Sequence, residues 1–176
     1  MFEVLVYVYE NYWRGDACPE QAHLERKLNA VGFEADEIQD AITWLNALNL
    51  AARSTRRPAS ELLDMALGTP LSHIPAGTPL VMAPPSSDSM RVYSSFEQDH
   101  LGAECLGFVM FLDSAGVLPA HMREVVIDRA MAVPDAPVTL DDLKIIVLMV
   151  YWSFGEEPDA LVLDELCEDT SERVAH

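Results

Sequence analysis

Between Arg53 and Val92 the chain cannot be one regular element, and that constraint shapes everything else. Pro58, Pro70, Pro75, Pro79, Pro84 and Pro85 fall there, with Gly68 and Gly77 among them. Proline removes a backbone donor and fixes its own φ, so so many of them at these spacings exclude a long helix or a central strand. Only Ser60 to Leu67 has a pattern suited to a short helix, and the rest of 53–88 reads as a flexible linker. Its end, Ser89-Met90-Arg91-Val92-Tyr93, alternates well enough to predict one strand. The linker separates two stretches with helical apolar spacing.

In the first stretch, Leu5, Val8, Tyr9 and Tyr12 recur at helical intervals, although Val and Tyr also favour strands; a helix is predicted. Pro19 suits a first helical position ahead of Leu24, Leu28 and Val31, and Gly32 stops that helix with Phe33 packing back. Asp36 is predicted to cap a third helix, whose Ile38, Ala41, Ile42, Leu45 and Leu48 form an inward stripe. Helices at 19–31 and 36–49 around Gly32-Phe33-Glu34-Ala35 have helix-turn-helix spacing. A strand pair at Leu50–Ser54 and Met90–Tyr93 would make this a winged helix with an overgrown wing. A plain three-helix unit explains the pattern almost as well.

The second stretch is punctuated as consecutive helices. Ser94 and Glu97 have capping-box spacing, opening a helix that breaks near Gly102 and runs to Ala115 before Gly116. Pro119 opens the next, through Met122, Val125, Val126, Arg129 and Ala130, and Pro134 closes it. Thr139 and Asp142 resemble a second box. They lead into Leu143 to Phe154, apolar nearly all round and so a central helix. A last amphipathic helix is expected over Pro158 to Glu168, through Leu161, Leu163 and Leu166. The predicted class is therefore mainly α with at most a short β-hairpin. Residues 1–52 form a winged-helix-like or three-helix unit, 53–88 the linker, 89–170 a strand plus helical bundle, and 171–176 a disordered tail. The two units are tied by the linker or share one core.

Net charge is −18, and it is uneven. Seventeen acids and four bases lie in 94–176, against nine and six in 1–60. Such a field repels phosphate backbones and favours basic partners. Cys18, Cys105 and Cys167 are odd in number and never in a Cys-x-x-Cys pair, which argues against a disulfide framework or structural zinc and for a reducing compartment. The start, Met1-Phe2-Glu3-Val4-Leu5, lacks the basic region of a signal peptide. The longest charge-free apolar run, Ile145–Phe154, is about half of the roughly twenty residues a span needs. A cytoplasmic protein without a membrane segment is expected.

Several blocks in order carry a resemblance. They are Met1-Phe2-Glu3-Val4-Leu5-Val6-Tyr7, Gly32-Phe33, Ala41-Ile42-Thr43-Trp44-Leu45 and Ser89-Met90-Arg91-Val92-Tyr93. Cys105-Leu106-Gly107-Phe108-Val109-Met110-Phe111-Leu112 follows, then Arg123-Glu124-Val125-Val126-Ile127-Asp128-Arg129, and finally Leu140-Asp141-Asp142-Leu143-Lys144 with Ile146 and Leu148-Met149-Val150. Together they resemble the bacterial Smg family of small acidic cytoplasmic proteins over residues 1 to about 170. The resemblance implies no biochemical activity and no site residues to carry over. Residues 53–88 look longer and richer in proline than is usual for that family.

Local chemistry signatures are missing. None of the eight glycines forms a phosphate-cradling loop, and Gly-x-Ser-x-Gly, His-Glu-x-x-His and Walker patterns do not occur. Glu20/His23 and Glu97/His100 have the i, i+3 spacing of di-metal bundles, but both pairs sit among polar neighbours, and a solvated helix face accounts for them better. Cys105, beside Leu106 and Phe108, reads as a buried structural thiol. Asp141 and Asp142 suit the first turn of a helix. The aromatic residues Tyr7, Tyr9, Tyr12, Trp13 and Trp44 read as core and rim rather than as a base-stacking platform.

These readings point to a non-catalytic cytoplasmic protein-binding or regulatory adaptor, without cofactor or metal, whose partner is a protein with a basic surface. Candidate contacts are Glu34, Glu37, Asp40 and Thr43 on the third helix and Arg53, Arg56 and Arg57 beyond it. A nucleic-acid-associated winged-helix regulator is the alternative, with Arg53–Arg57 as backbone contacts. Against it, the would-be recognition helix opens with Glu34, Asp36, Glu37 and Asp40. A di-metal carboxylate protein is weaker still.

Overall fold

The computed structural model describes residues 1–12, 21–56, 91–134 and 136–158, with the side chains of residues 21, 22 and 56 outside that set. Six helices are described: α1 (Phe2–Tyr12), α2 (Gln21–Val31), α3 (Ala35–Arg56), α4 (Ser95–Ser114), α5 (Ala120–Met131) and α6 (Leu140–Phe154). No strand occurs among the described residues. The protein is mainly helical.

The apolar run expected to be central organises the whole molecule. In α6 ten of fifteen residues are buried, from Leu143 to Tyr151 and again at Phe154. A helix apolar on every side must be covered on every side. Accordingly α6 packs against α1 and α3 from the first stretch and α4 and α5 from the second. The buried side chains of both stretches form one cluster, from Val4, Leu28 and Leu48 to Leu101, Met122 and Met149. Each fully buried Leu or Met in it is worth roughly 1.5–3 kcal/mol of removal from water.

Local signals set the helix ends. Gly32, at φ 110°, ends α2, and the N–H groups of Gly32 and Phe33 both donate to the Leu28 carbonyl. Phe33 turns back to meet the Tyr7 ring edge-on at 5.7 Å. Ser94 and Glu97 make the full reciprocal capping box at α4. Gly102 (φ 71°, ψ 168°) kinks α4 where a break was expected. Gly155 closes α6 in the left-handed region. Thr139 Oγ1 caps α6 by accepting from the Asp142 N–H at 3.2 Å.

Two expectations fail on α3. Leu50–Ser54 is helical, so no wing strand forms there, and Arg91–Tyr93 enter α4 without strand pairing. The inward stripe continues one turn past Leu48 to buried Ala52. Ser54 and Thr55 each donate to the Ala51 carbonyl at 2.8 Å, satisfying themselves on the helix's own backbone. Asp36 is also not the cap. Helix α3 begins at Ala35, with the Ile38 N–H donating to the Glu34 carbonyl at 3.0 Å, and Asp36 sits in its first turn. The helix pair α2–α3 around a tight turn stands as expected. Pro19, Met90, the helix expected over 60–67 and the one after Pro158 fall outside the described residues.

Candidate functional site

Helix α3 is buried along one side by Ile38, Ala41, Ile42, Trp44, Leu45, Leu48 and Ala52, which leaves a defined outer side. At 3.6 residues per turn, positions 36, 40, 43, 47 and 50 fall within about 40° of one line along that side. The stripe therefore reads Asp36, Asp40, Thr43, Ala47, Leu50: acidic at the helix start, apolar towards its end. Leu50 is 70% exposed, unusual for a large aliphatic residue on a packed helix. The acidic start has a local cause, since carboxylates near a helix N-terminus oppose its partial positive charge.

Beside this stripe lies an open groove of about 560 Å³ between α3, the start of α1 and the end of α5. Its lining includes Phe2, Asp40, Thr43, Trp44, Ala47 and Arg129, with Ala132, Val133 and Pro134 from the turn after α5. Trp44 fixes the floor: its indole Nε1–H donates to the Arg129 carbonyl at 3.1 Å, joining α3 to the last turn of α5. The guanidinium of Arg129 is held by Asp128, with Nη2 at 2.7 Å and Nε at 3.0 Å from Oδ2. The Met1 amino nitrogen, at the other wall, lies 3.5 Å from Glu37 Oε1. Both positive groups at the groove are thus matched by carboxylates. The Asp40 carboxylate, exposed at its rim, has no hydrogen-bond or ion-pair partner among the described residues.

The structure brings some of the expected site residues together and separates others. Asp40 and Thr43 line the groove. Glu34 is exposed in the turn before α3, and Glu37 is half-exposed at the N-terminal wall. Thr43 Oγ1 donates back to the Gln39 carbonyl at 2.8 Å, which occupies its proton. Arg53 is exposed thirteen residues beyond Asp40, roughly 20 Å along the helix axis. Arg56 is the last residue of α3, its side chain outside the described set, and Arg57 lies outside the described residues altogether. Glu37 and Asp40 therefore lie towards the start of α3 and Arg53 towards its end. Leu50, Ala47, Trp44 and Arg129 were not singled out from the sequence. Leu50 and Ala47 carried a usable signal, the i, i+3/i+4 continuation from Asp36, which the supposed strand at 50–54 hid.

Structural roles account for Glu97, His100 and Cys105. Glu97 faces Arg91 Nη2 at 2.7 Å, whereas His100 Nε2 lies 3.2 Å from the Ala130 carbonyl, so the two side chains have separate partners. Glu20 lies outside the described residues and His23 is exposed. Among the described residues, no three His, Cys, Asp or Glu side chains come close enough to share an ion. Cys105 is 1% exposed and its thiol donates to the Val138 carbonyl at 3.2 Å. Burial first, then the nearby carboxylates of Glu104 and Asp142, pushes it up to about 11, away from thiolate chemistry. No described helix is long and apolar enough to cross a membrane.

Comparison with known proteins follows the same line. The model of a family described as a protein of unknown function, DUF494, matches residues 1–176. Relatives named Protein Smg homolog are 53% identical in Leptothrix cholodnii, 52% in Methylibium petroleiphilum and 43% in Bordetella pertussis. Each of these alignments spans 176 residues and covers all of both chains. No solved structure matches the chain.

Proposed function

The chain belongs to the DUF494 family, whose curated relatives carry the name Smg homolog, and from that premise we propose that it is a non-catalytic cytoplasmic adaptor that binds a protein with a basic surface. One observation carries the reading. The turn before α3 and the first two turns of that helix present Glu34, Asp36 and Asp40 exposed, with no side-chain partner among the described residues, and the inner side of α3 is locked into the common core. Carboxylates held rigidly and left without bases attract cationic partners and repel phosphate backbones. The same face therefore supports a protein partner over a nucleic acid.

Charge reversal tests this directly. The triple variant Glu34→Lys, Glu37→Lys, Asp40→Lys is expected to lose capture of basic protein from host extract at low salt while keeping the wild-type far-ultraviolet spectrum. Capture that persists undiminished in the folded variant removes this face and the adaptor reading with it.

A further inference from the structure

We infer that the groove beside α3 is the docking site for a short amphipathic segment of a partner protein, with a basic side chain over Asp40 and apolar side chains against Trp44, Ala47 and Leu50. This rests on the adaptor reading and narrows it from a charged face to a site with a direction and a chemistry.

The direction comes from the stripe. Asp36 to Leu50 spans fourteen residues, roughly 21 Å, enough for four turns of a docked helix or six extended residues. Along it the surface changes from carboxylate to aliphatic, so a complementary segment must change from basic to apolar in register. The groove supplies depth beside the apolar half, with Trp44 as a fixed floor and Phe2 and Val133 at its walls. Its volume is in the range of about 300–1,000 Å³ usual for ligand sites, yet it is about half open to solvent, which suits a segment laid into it better than an engulfed small molecule.

The chemistry comes from charge. Arg129 and the Met1 amino group are matched by Asp128 and Glu37, and Asp40 is left over at the rim. The C-terminal end of α5, through its cap Ala132, borders the same groove, and a helix C-terminus carries partial negative charge. A lysine or arginine fits there, and an acidic or phosphorylated segment does not. Leu50 would then be the exposed anchor that the segment covers, as aliphatic anchors are covered in helix-in-groove recognition.

The test uses the full chain and a displayed library of random dodecapeptides. Three variants accompany wild type: Ala47→Trp, which fills the groove; Leu50→Glu, at a 70% exposed position where folding is indifferent to the change; and the charge-reversal triple. Wild type is expected to enrich peptides pairing Lys or Arg with an apolar residue. Affinity for synthetic copies should fall about tenfold or more with Ala47→Trp and with Leu50→Glu, as for loss of an anchor. Enriched peptides that ignore both groove variants but fail on the charge-reversal triple overturn the groove and leave the adaptor reading standing. Peptides indifferent to all three overturn both. Enrichment of acidic sequences, or no enrichment, overturns the proposed occupant. Self-association of the free protein that Leu50→Glu abolishes overturns it too, because the occupant is then a second copy.

Discussion

Acids on α3 and acids at the α4–α5 junction have the same charge and different work. At the junction, Glu97, Arg91, Glu124, Arg123 and Asp113 form a chain of alternating sign. Arg91 reaches Glu97 at 2.7 Å and Glu124 at 2.9 Å, and Arg123 reaches Glu124 at 3.0 Å and Asp113 at 2.8 Å. Arg91 also stacks over the Tyr93 ring at 4.5 Å. Those contacts pin the segment before α4 to α5, thirty-three residues away in sequence. On α3 and in the turn before it, the side chains of Glu34, Asp36 and Asp40 hold nothing in place among the described residues. A net charge of −18 is therefore not one uniform field. Part of it is structural, and part faces outward to be met by something else.

The largest effect separating the two regions is expected at Arg91. Arg91→Ala removes both ion pairs and the cover over Tyr93, and leaves Glu97, whose side chain is 18% exposed, without its cation. Stranding a partly buried carboxylate should cost about 2 kcal/mol, read as a lower urea midpoint. A variant as stable as wild type would mean that the junction charges are as idle structurally as those of α3.

Acid titration sharpens the same point, with a smaller effect. The Arg91 hydrogen bond first, then the Ser94 backbone N–H, holds Glu97 down to about 2 from an ordinary 4.5. The folded value lies below the unfolded one, so this stabilisation is complete above pH 4.5 and is lost as pH falls from there towards 2. Arg91→Ala removes the main cause. The midpoint gap between wild type and variant should therefore narrow by about 1 kcal/mol on going from pH 5 to pH 3. A gap that stays constant across this window would assign the loss to packing on Tyr93 instead.

How far each region was legible in the sequence follows from how local its causes are. The Ser94/Glu97 box, the Gly32 stop, the Gly102 break and the apolar run of α6 are each written within a few residues, and each appears as expected. The supposed strand at Leu50–Ser54 fails because the helix continues through it, with Ala52 extending the buried stripe and Ser54 and Thr55 bonding back to Ala51. Neither the Arg91–Glu124 pair nor the Trp44–Arg129 bond, the latter between residues 85 apart, has any local signature. The groove is the extreme case. It needs Phe2, Ala47 and Val133 side by side, and only the shared core around α6 brings them there. Asp40, Thr43, Ala47 and Leu50 share a helical face that the sequence can show, whereas the walls supplied by Phe2, Arg129 and Val133 have no local signal.

The smallest expected effect is the most discriminating. Asp40 stands in the second turn of α3, past the first turn where a carboxylate gains from the helix N-terminus, and it has no described partner to lose. Asp40→Asn keeps the shape and removes one of twenty-nine acids from a chain with only eleven Lys and Arg. Relief of repulsion and loss of any residual dipole benefit oppose each other, so unfolding free energy should move by less than about 0.5 kcal/mol in urea titration. A loss of 1 kcal/mol or more would show that Asp40 belongs with the junction acids, bound to something within the chain. If stability holds while affinity for a basic peptide falls, the carboxylate contributes to recognition and not to folding.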